Sequence, residues 1–202
     1  MSDAAAWDAR YRALPGMFGT RPNEYLRSQA WRLAPGARAL ALGDGEGRNG
    51  VWLAEQGLIV TSLDWSRVGL AHARALAEAR GVALTFIEAD ATRWDYPDSA
   101  FELVAWIFLH LPPADRRLVA AGACRALAPG GLLVLEGFTP APPGRRAGGP
   151  QDPALLWSRT AVEECFPALE VLELLEGTVL LDEGPKHQGR AEVVRALLRR
   201  PA

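Results

Sequence analysis

The sequence predicts an open, doubly wound α/β sheet, and three observations carry that prediction. Strand-length apolar runs alternate with segments of helical period; the first run empties into a glycine-rich loop; and the chain closes with two extended segments joined by a turn. Alternation of strand and helix builds a parallel sheet covered on both faces, because each crossover lays a helix back onto the sheet.

The strand candidates are "ARALAL" (37–42), "LIVTSLD" (58–64), "VALTFIEAD" (82–90), "FELVAWIF" (101–108) and "GLLVLEGF" (131–138). Such near-continuous apolar runs suit parallel strands buried on both faces. Between the second and third, "SRVGLAHARALAEARG" predicts a helix with Ser66 as its cap and Gly81 as its stop. Its apolar stripe reads as Val68, Ala71, Ala75 and Ala79, and His72 falls on the polar side with no evident role. "PPADRRLVAAGACRALAPGG" repeats the plan, with prolines at entry, Leu118, Val119, Gly122 and Ala126 as the stripe, and Pro129-Gly130 as the stop. "TPAPPGRRAGGPQDP" is long for a connection and rich in Pro and Gly, so residues 138–157 read as a lid or a surface loop. A helix-like "LWSRTAVEECF" follows. "LEVLELLEGTVLL" and "AEVVRALLR", separated by "DEGPKHQG", predict an antiparallel hairpin at the sheet edge, although the second segment has helical propensity as well.

At 202 residues the chain suits one domain with a full core. The 22 basic against 24 acidic residues leave a formal charge of -2, which gives no electrostatic case for nucleic acid or an anionic membrane and favours a small-molecule partner. Cys124 and Cys165 stand in helix-like stretches without metal-ligand spacing, so they read as reduced buried thiols, with no metal site. The start "MSDAAAWDARYR" lacks the apolar core of a signal peptide and no run approaches a membrane span, so a cytoplasmic protein is expected, as monomer or homodimer.

The stretch "ALALGDGEGRNG" (39–50) raises the functional question. A strand running into a glycine turn and then a helix is the nucleotide-binding start of an open α/β sheet, with the ligand in the crevice at the strands' carboxyl ends. Dinucleotides and S-adenosylmethionine both fit that description. The dinucleotide fingerprint places glycines first, third and sixth, but the sixth residue from Gly43 is Arg48. Acids end the second and third strands, Asp64 and Asp90, followed by Trp65 and Ala91. Carboxylates accept well from hydroxyls and amino groups, so Asp64 suits a ribose diol and Asp90 an adenine amino group, while Trp65 offers a flat face to the ring.

On these residues the chain resembles the class I S-adenosylmethionine-dependent methyltransferases, from about residue 7 to the end. "GDGEGRN" is similar to the glycine motif of the tellurite-resistance-type branch, in which Arg-Asn follows the last glycine. "WDARY" with "FGTRPNEYL" resembles the amino-terminal arm of that branch and of thiopurine-type enzymes, where three aromatics at the spacing of Trp7, Tyr11 and Phe18 line the cofactor. The resemblance implies a seven-stranded Rossmann-like sheet of order 3-2-1-4-5-7-6 with strand 7 antiparallel, a single domain over 1–202 and an arm (1–34) covering the cofactor. It implies S-adenosylmethionine held by Gly43, Asp44, Gly45, Glu46, Gly47, Arg48 and Asn49, by Trp65 and Ser66 beside Asp64, by Asp90 and Ala91, and by the main chain near Ile107. Asp44 departs from the commoner cysteine or small residue.

Methyl transfer from a sulfonium is an in-line displacement whose donor is already activated, so alignment is the main task and a base is needed only for a protonated acceptor. His110, in "IFLHLPP", and His187, in "GPKHQGRA", are the two candidates. Tellurite methyltransferases carry a His-Arg pair near the carboxyl terminus; here Gln188 follows His187, with Arg190 further on. The expected acceptor is a small soft nucleophile, a chalcogen oxyanion, thiol or other small metabolite. A catalytically silent cofactor-binding module and a nicotinamide-dependent oxidoreductase are the rival readings.

Overall fold

The computed structural model describes residues 3–141 and 148–202. Its centre is a seven-stranded sheet: β1 (Arg38–Leu42), β2 (Ile59–Asp64), β3 (Thr85–Glu88), β4 (Phe101–Ile107), β5 (Leu127–Phe138), β6 (Glu170–Gly184) and β7 (His187–Arg199). The order is β3-β2-β1-β4-β5-β7-β6. The first five strands are parallel, whereas β7 runs antiparallel to both β5 and β6. The carboxyl-terminal hairpin therefore forms as its two apolar runs predict, and its second run is a strand despite its helical propensity. Burial between β5 and β6 decides the matter: Ala191, Val193, Val194, Ala196, Leu197 and Leu198 are all buried.

Among the described residues six α-helices accompany the sheet: α1 (Ala4–Ala13), α2 (Glu24–Ser28), α3 (Arg48–Glu55), α4 (Arg67–Arg80), α5 (Pro113–Ala126) and α6 (Arg159–Cys165). The pleat sends successive residues to opposite faces, so Leu40, Leu42, Val104 and Trp106 enter one core cluster and Ala39, Leu103 and Ala105 the other. Trp106 anchors the first cluster edge-on to both Trp157 and Phe166. Full burial of side chains of this kind stabilises by about 1.5–3 kcal/mol each.

The buried stripe differs from the predicted one wholly in α4 and by half in α5, where Val119 and Ala126 are buried as expected. In α4 the buried residues are Gly69, Leu70, Ala73 and Ala77, not Val68, Ala71, Ala75 and Ala79. In α5 they are Arg116, Val119, Ala120, Ala123 and Ala126, while Leu118 is exposed and Gly122 only half-buried. Both sequences are alanine-rich, and alanine carries too little apolar area to select a face. Close packing against neighbours selects it instead, as where Gly47 abuts Ala73. Ser66 and Gly81 cap α4 as expected. The stop at Pro129-Gly130 comes too late, for α5 ends at Ala126 and β5 begins at Leu127, with a register shift across the Pro-Gly step. Strand β3 is shorter than its apolar run, covering four of the nine residues 82–90. Cys124 and Cys165 are free thiols, half-buried rather than buried. Of the predicted lid or loop 138–157, residues 142–147 lie outside the described part. Its far end is a single 3-10 turn, Pro153–Leu155.

Candidate functional site

The glycine loop joins β1 to α3 at the carboxyl ends of the strands. Gly45 and Gly47 take φ of 56° and 83°, in the left-handed region that glycine tolerates. The groups exploiting the missing side chains are the protein's own: a Cβ on Gly45 would strike the Tyr11 hydroxyl, and one on Gly47 would stand 2.6 Å from Ala73 Cβ. Carboxylates fix the loop from below. Asp44 accepts from Gly50 N at 3.1 Å and from the Ser62 hydroxyl at 2.7 Å, bracing loop, α3 and β2, while burial pushes its carboxyl upward. Asp64, at the end of β2, accepts from Gly45 N through Oδ2 and from Ser66 N through Oδ1, both at 2.8 Å. Burial outweighs these bonds and lifts its carboxyl to about 6. Each oxygen keeps a second lone pair for another donor.

Glu46 points elsewhere. Its Oε1 accepts from Gly16 N and meets His72 Nδ1, both at 2.7 Å, so His72 helps hold the loop rather than facing solvent without a role. Its Oε2 is buried and has no hydrogen-bond partner among the described residues. An acceptor left bare in the interior costs about 1–3 kcal/mol, and more when charged, so this oxygen marks a place for a donor.

The amino-terminal arm lies against this loop. Trp7 packs on Tyr11 at 5.5 Å and on Phe18 at 6.2 Å, so the three spaced aromatics do come together. Asp8, which the sequence did not single out, accepts from the Ser66 hydroxyl at 2.6 Å and from Val68 N at 3.1 Å, tying α1 to the start of α4. A carboxylate there also meets the positive end of the helix. On the other flank, Asp90 accepts from Thr92 N and hydroxyl at 2.8 and 2.7 Å, leaving Oδ2 3.9 Å from Arg93 Nε. Ala91 O accepts from the Tyr96 hydroxyl, and Trp65 is half-buried beside Asp64.

Beyond Ile107 the chain turns abruptly. Phe108 takes φ of 52°, rare for a residue with a bulky side chain and costing about 1–3 kcal/mol, while its N donates to Glu136 O. The turn packs its ring at 4.6 Å from both Phe138 and His187, and Phe18 reaches His187 at 4.6 Å from the arm. His187 is the first residue of β7, buried among aromatic rings, rather than part of a turn over 182–189, because the two strands extend until only residues 185 and 186 are left between them. Burial, partly offset by Glu183, holds its imidazole below the usual range. His110 lies 5.5 Å from Phe138, but backbone engages both its nitrogens: Nδ1 with Leu155 O at 3.0 Å and Nε2 with Phe138 N at 3.4 Å. Burial lowers it to about 4.

A buried polar cluster that sequence reasoning missed lies between the two halves. Glu183 meets Arg48 at 2.7 Å, His187 at 3.3 Å and Asn23 at 2.9 Å, and Asn23 N donates to the Asn49 side chain at 2.9 Å. Glu136, near the carboxyl end of β5, accepts from Asn23 and from Arg195 at 2.8 Å. Arg48 and Asn49 thus face the hairpin and the arm through their side chains. The one available signal was a pair of acids, Glu136 and Glu183, inside strongly apolar or turn-like segments.

A seven-stranded α/β sheet of this order, with its glycine loop after β1, is the class I methyltransferase fold. Residues 39–131 match the family model described as a methyltransferase domain. The demethylmenaquinone methyltransferase of Thermus thermophilus is 40% identical over 109 residues, which are 53% of this chain and 50% of that protein. The chain spans about half the length of the curated relatives it matches. Three solved structures share the fold. One is described as "Conversion of a Disulfide Bond into a Thioacetal Group during Echinomycin Biosynthesis" (TM-score 0.79, 21% identity, covering 98% of this chain and 93% of that one). Another is TehB from Haemophilus influenzae (0.71, 16%, 98% and 66%). The third is the N-methyltransferase NodS from Bradyrhizobium japonicum with S-adenosyl-L-homocysteine (0.68, 17%, 88% and 84%). No described helix is long and apolar enough to cross a membrane.

Proposed function

We propose that the chain is an S-adenosylmethionine-dependent methyltransferase acting on a small soft nucleophile, a chalcogen oxyanion, a thiol or another small metabolite, in the tellurite-resistance and thiopurine-type branch. The observation that carries the reading is the pairing of two half-sites at the carboxyl ends of the strands. One comprises the loop 43–49, Asp64 and the unpartnered Glu46 Oε2; the other is His187 among Phe18, Phe108 and Phe138. The methyltransferase-domain match and the demethylmenaquinone methyltransferase relatives support the reaction class. The donor's chemistry is a methyl group made electrophilic by its sulfonium.

The residues fit such a cofactor. Asp64 has lone pairs left for a ribose diol, and Trp65 lies next to it as a flat wall. Glu46 Oε2 lacks the cationic donor that an amino-acid ammonium provides. Asp90 keeps one oxygen for an exocyclic amino group. His187, neutral and walled by rings, takes the acceptor's proton, whereas His110 has no nitrogen uncommitted and serves to fix the loop after β4. The rings of Phe18, Phe108 and Phe138 around His187 would keep water from an acceptor bound there.

Titration calorimetry with S-adenosylmethionine, S-adenosylhomocysteine and NADH is the first test, followed by labelled methyl transfer to thiols, selenite, tellurite, a naphthoquinol, protein and nucleic acid. Binding of the two sulfur ligands, no response to NADH and label on a small acceptor are expected. Tight NADH binding alone, or label only on a macromolecule, contradicts the reading.

A further inference from the structure

We propose that Glu183 is the positioning residue for His187, holding the imidazole with its proton on Nδ1 and its lone pair on Nε2, and that Arg48 makes this arrangement depend on the glycine loop. The proposal rests on the methyltransferase reading for its consequence in catalysis; its geometry is independent of that reading.

The local chain path is built for the contact. In the β6–β7 pairing Asp182 lies opposite Gln188 and Gly184 opposite His187, with a register shift between Asp182 and Gly184. Glu183 is the extra residue of that bulge. A bulge re-aims a side chain that regular pairing sends to the other face, and here both Glu183 and His187 are buried against each other.

The carboxylate is saturated. Oε2 accepts from Arg48 Nη1 at 2.7 Å and faces His187 Nδ1 at 3.3 Å; Oε1 accepts from Asn23 Nδ2 at 2.9 Å and Glu24 N at 3.2 Å. Burial pushes the carboxyl up, but the bonds from His187 and Arg48 win and hold it at about 2, so it is ionised at any working pH. An ionised carboxylate has acceptors only. A histidine with its proton on Nε2 aims a lone pair at those oxygens and is repelled; the Nδ1–H form donates to them. The dyad thus fixes the tautomer, and Nε2 is left as the base.

Arg48 is the first residue of α3, directly after Gly47, so the guanidinium that shares Oε2 with His187 is anchored in the cofactor loop. Asn49 beside it holds Asn23, whose side chain binds the other oxygen. Displacement of the loop moves two of the four groups that fix Glu183. The charged and titratable groups facing His187 among the described residues are Glu183 from β6, Arg48 from α3 and, further off, His110 after β4.

The test begins with the unaltered chain. Imidazole ¹⁵N shifts of the full protein, with His187 assigned by its disappearance in His187→Asn, report the tautomer at pH 7.5 without any turnover. The expected form is Nδ1–H, the reverse of the preference of free histidine; an Nε2–H signal overturns the proposal. Glu183→Gln removes the charge and keeps the size. Its turnover at saturating cofactor should fall about tenfold or more, and the acidic limb of its pH–rate profile should move to lower pH because the partner that raised His187 is gone. A limb that stays in place, or a turnover unchanged, overturns the proposal. Absence of S-adenosylhomocysteine binding by the unaltered chain contradicts the methyltransferase reading instead, and the ¹⁵N measurement still decides the dyad.

Discussion

Asp64 carries two duties that pull on its charge in opposite directions. Holding Gly45 N and Ser66 N, and accepting from a ribose diol, both require the ionised form, yet burial lifts its carboxyl to about 6. S-adenosylhomocysteine affinity should therefore fall as pH drops through about 6, by at most tenfold per pH unit, since one proton is involved. Asp64→Asn should bind about tenfold to hundredfold more weakly at pH 8, the equivalent of about 1.5–3 kcal/mol for charge-assisted hydrogen bonds, and lose the pH dependence. Calorimetry between pH 5 and 8 reads both; a flat wild-type profile removes Asp64 from the cofactor site. The place of Asp64 at the end of β2 was legible in the sequence, because an acid that closes an apolar run marks where the strand stops. Asn23 and Glu183 were not, although both stand inside conspicuous motifs, because their meeting depends on contacts about 160 positions apart. Polar residues reveal themselves locally when their partners are local.

Elements meet most tightly where the arm crosses the tip of the β6–β7 hairpin. Gly19 takes φ of 75°, and a Cβ there would fall on the Glu183 carbonyl oxygen. Lys186 N donates to Met17 O at 2.9 Å next to it, and Arg21 binds Asp182. Gly36 offers a control, with φ of 83° and nothing within 4 Å of an added Cβ. Gly36→Ala should cost only the left-handed backbone penalty, roughly 1–2 kcal/mol. Gly19→Ala should cost that and more, roughly 3 kcal/mol or above, because the arm must leave the hairpin or the bulge must shift. Urea unfolding of the two variants compares them directly, and equal losses contradict a close arm–hairpin contact. The sequence announced strands better than helix faces. Its leucine, isoleucine and valine runs declare burial by their area, so β1, β2, β4 and β5 were readable, as was the hairpin. The alanine stripes of α4 and α5 declare nothing, and their buried faces follow from neighbours that only the fold supplies.

Across the whole molecule, acids raised by burial and histidines lowered by it set opposing pH dependences of stability, and the lowered Glu183 sides with the histidines. The order of the sheet was legible through the resemblance that the glycine loop and arm motifs carry, but this balance was not, since it depends on burial depth. Asp64 rises from 3.8 unfolded to about 6 folded, so the native state binds the extra proton in between. Its stabilisation is complete below about 3.8 and is lost as pH rises through about 6. Asp44 and Glu136, also raised by burial, act in the same direction. His110 falls from 6.5 to about 4, so the native state excludes a proton that the unfolded chain binds. Its contribution is complete above about 6.5 and is lost as pH falls through about 4, and His187, also lowered by burial, adds to that side. The Asp64 and His110 shifts each correspond to about 3 kcal/mol, so between pH 4 and 6 these two largely offset each other. Relative to wild type, Asp64→Asn should then gain stability steadily as pH rises from 4 to 6, and His110→Asn should lose it over the same interval. Urea midpoints of the apo proteins at pH 4, 5 and 6 give the two difference curves, which should slope in opposite directions; curves that run parallel to wild type mean that neither group is buried as the fold places it.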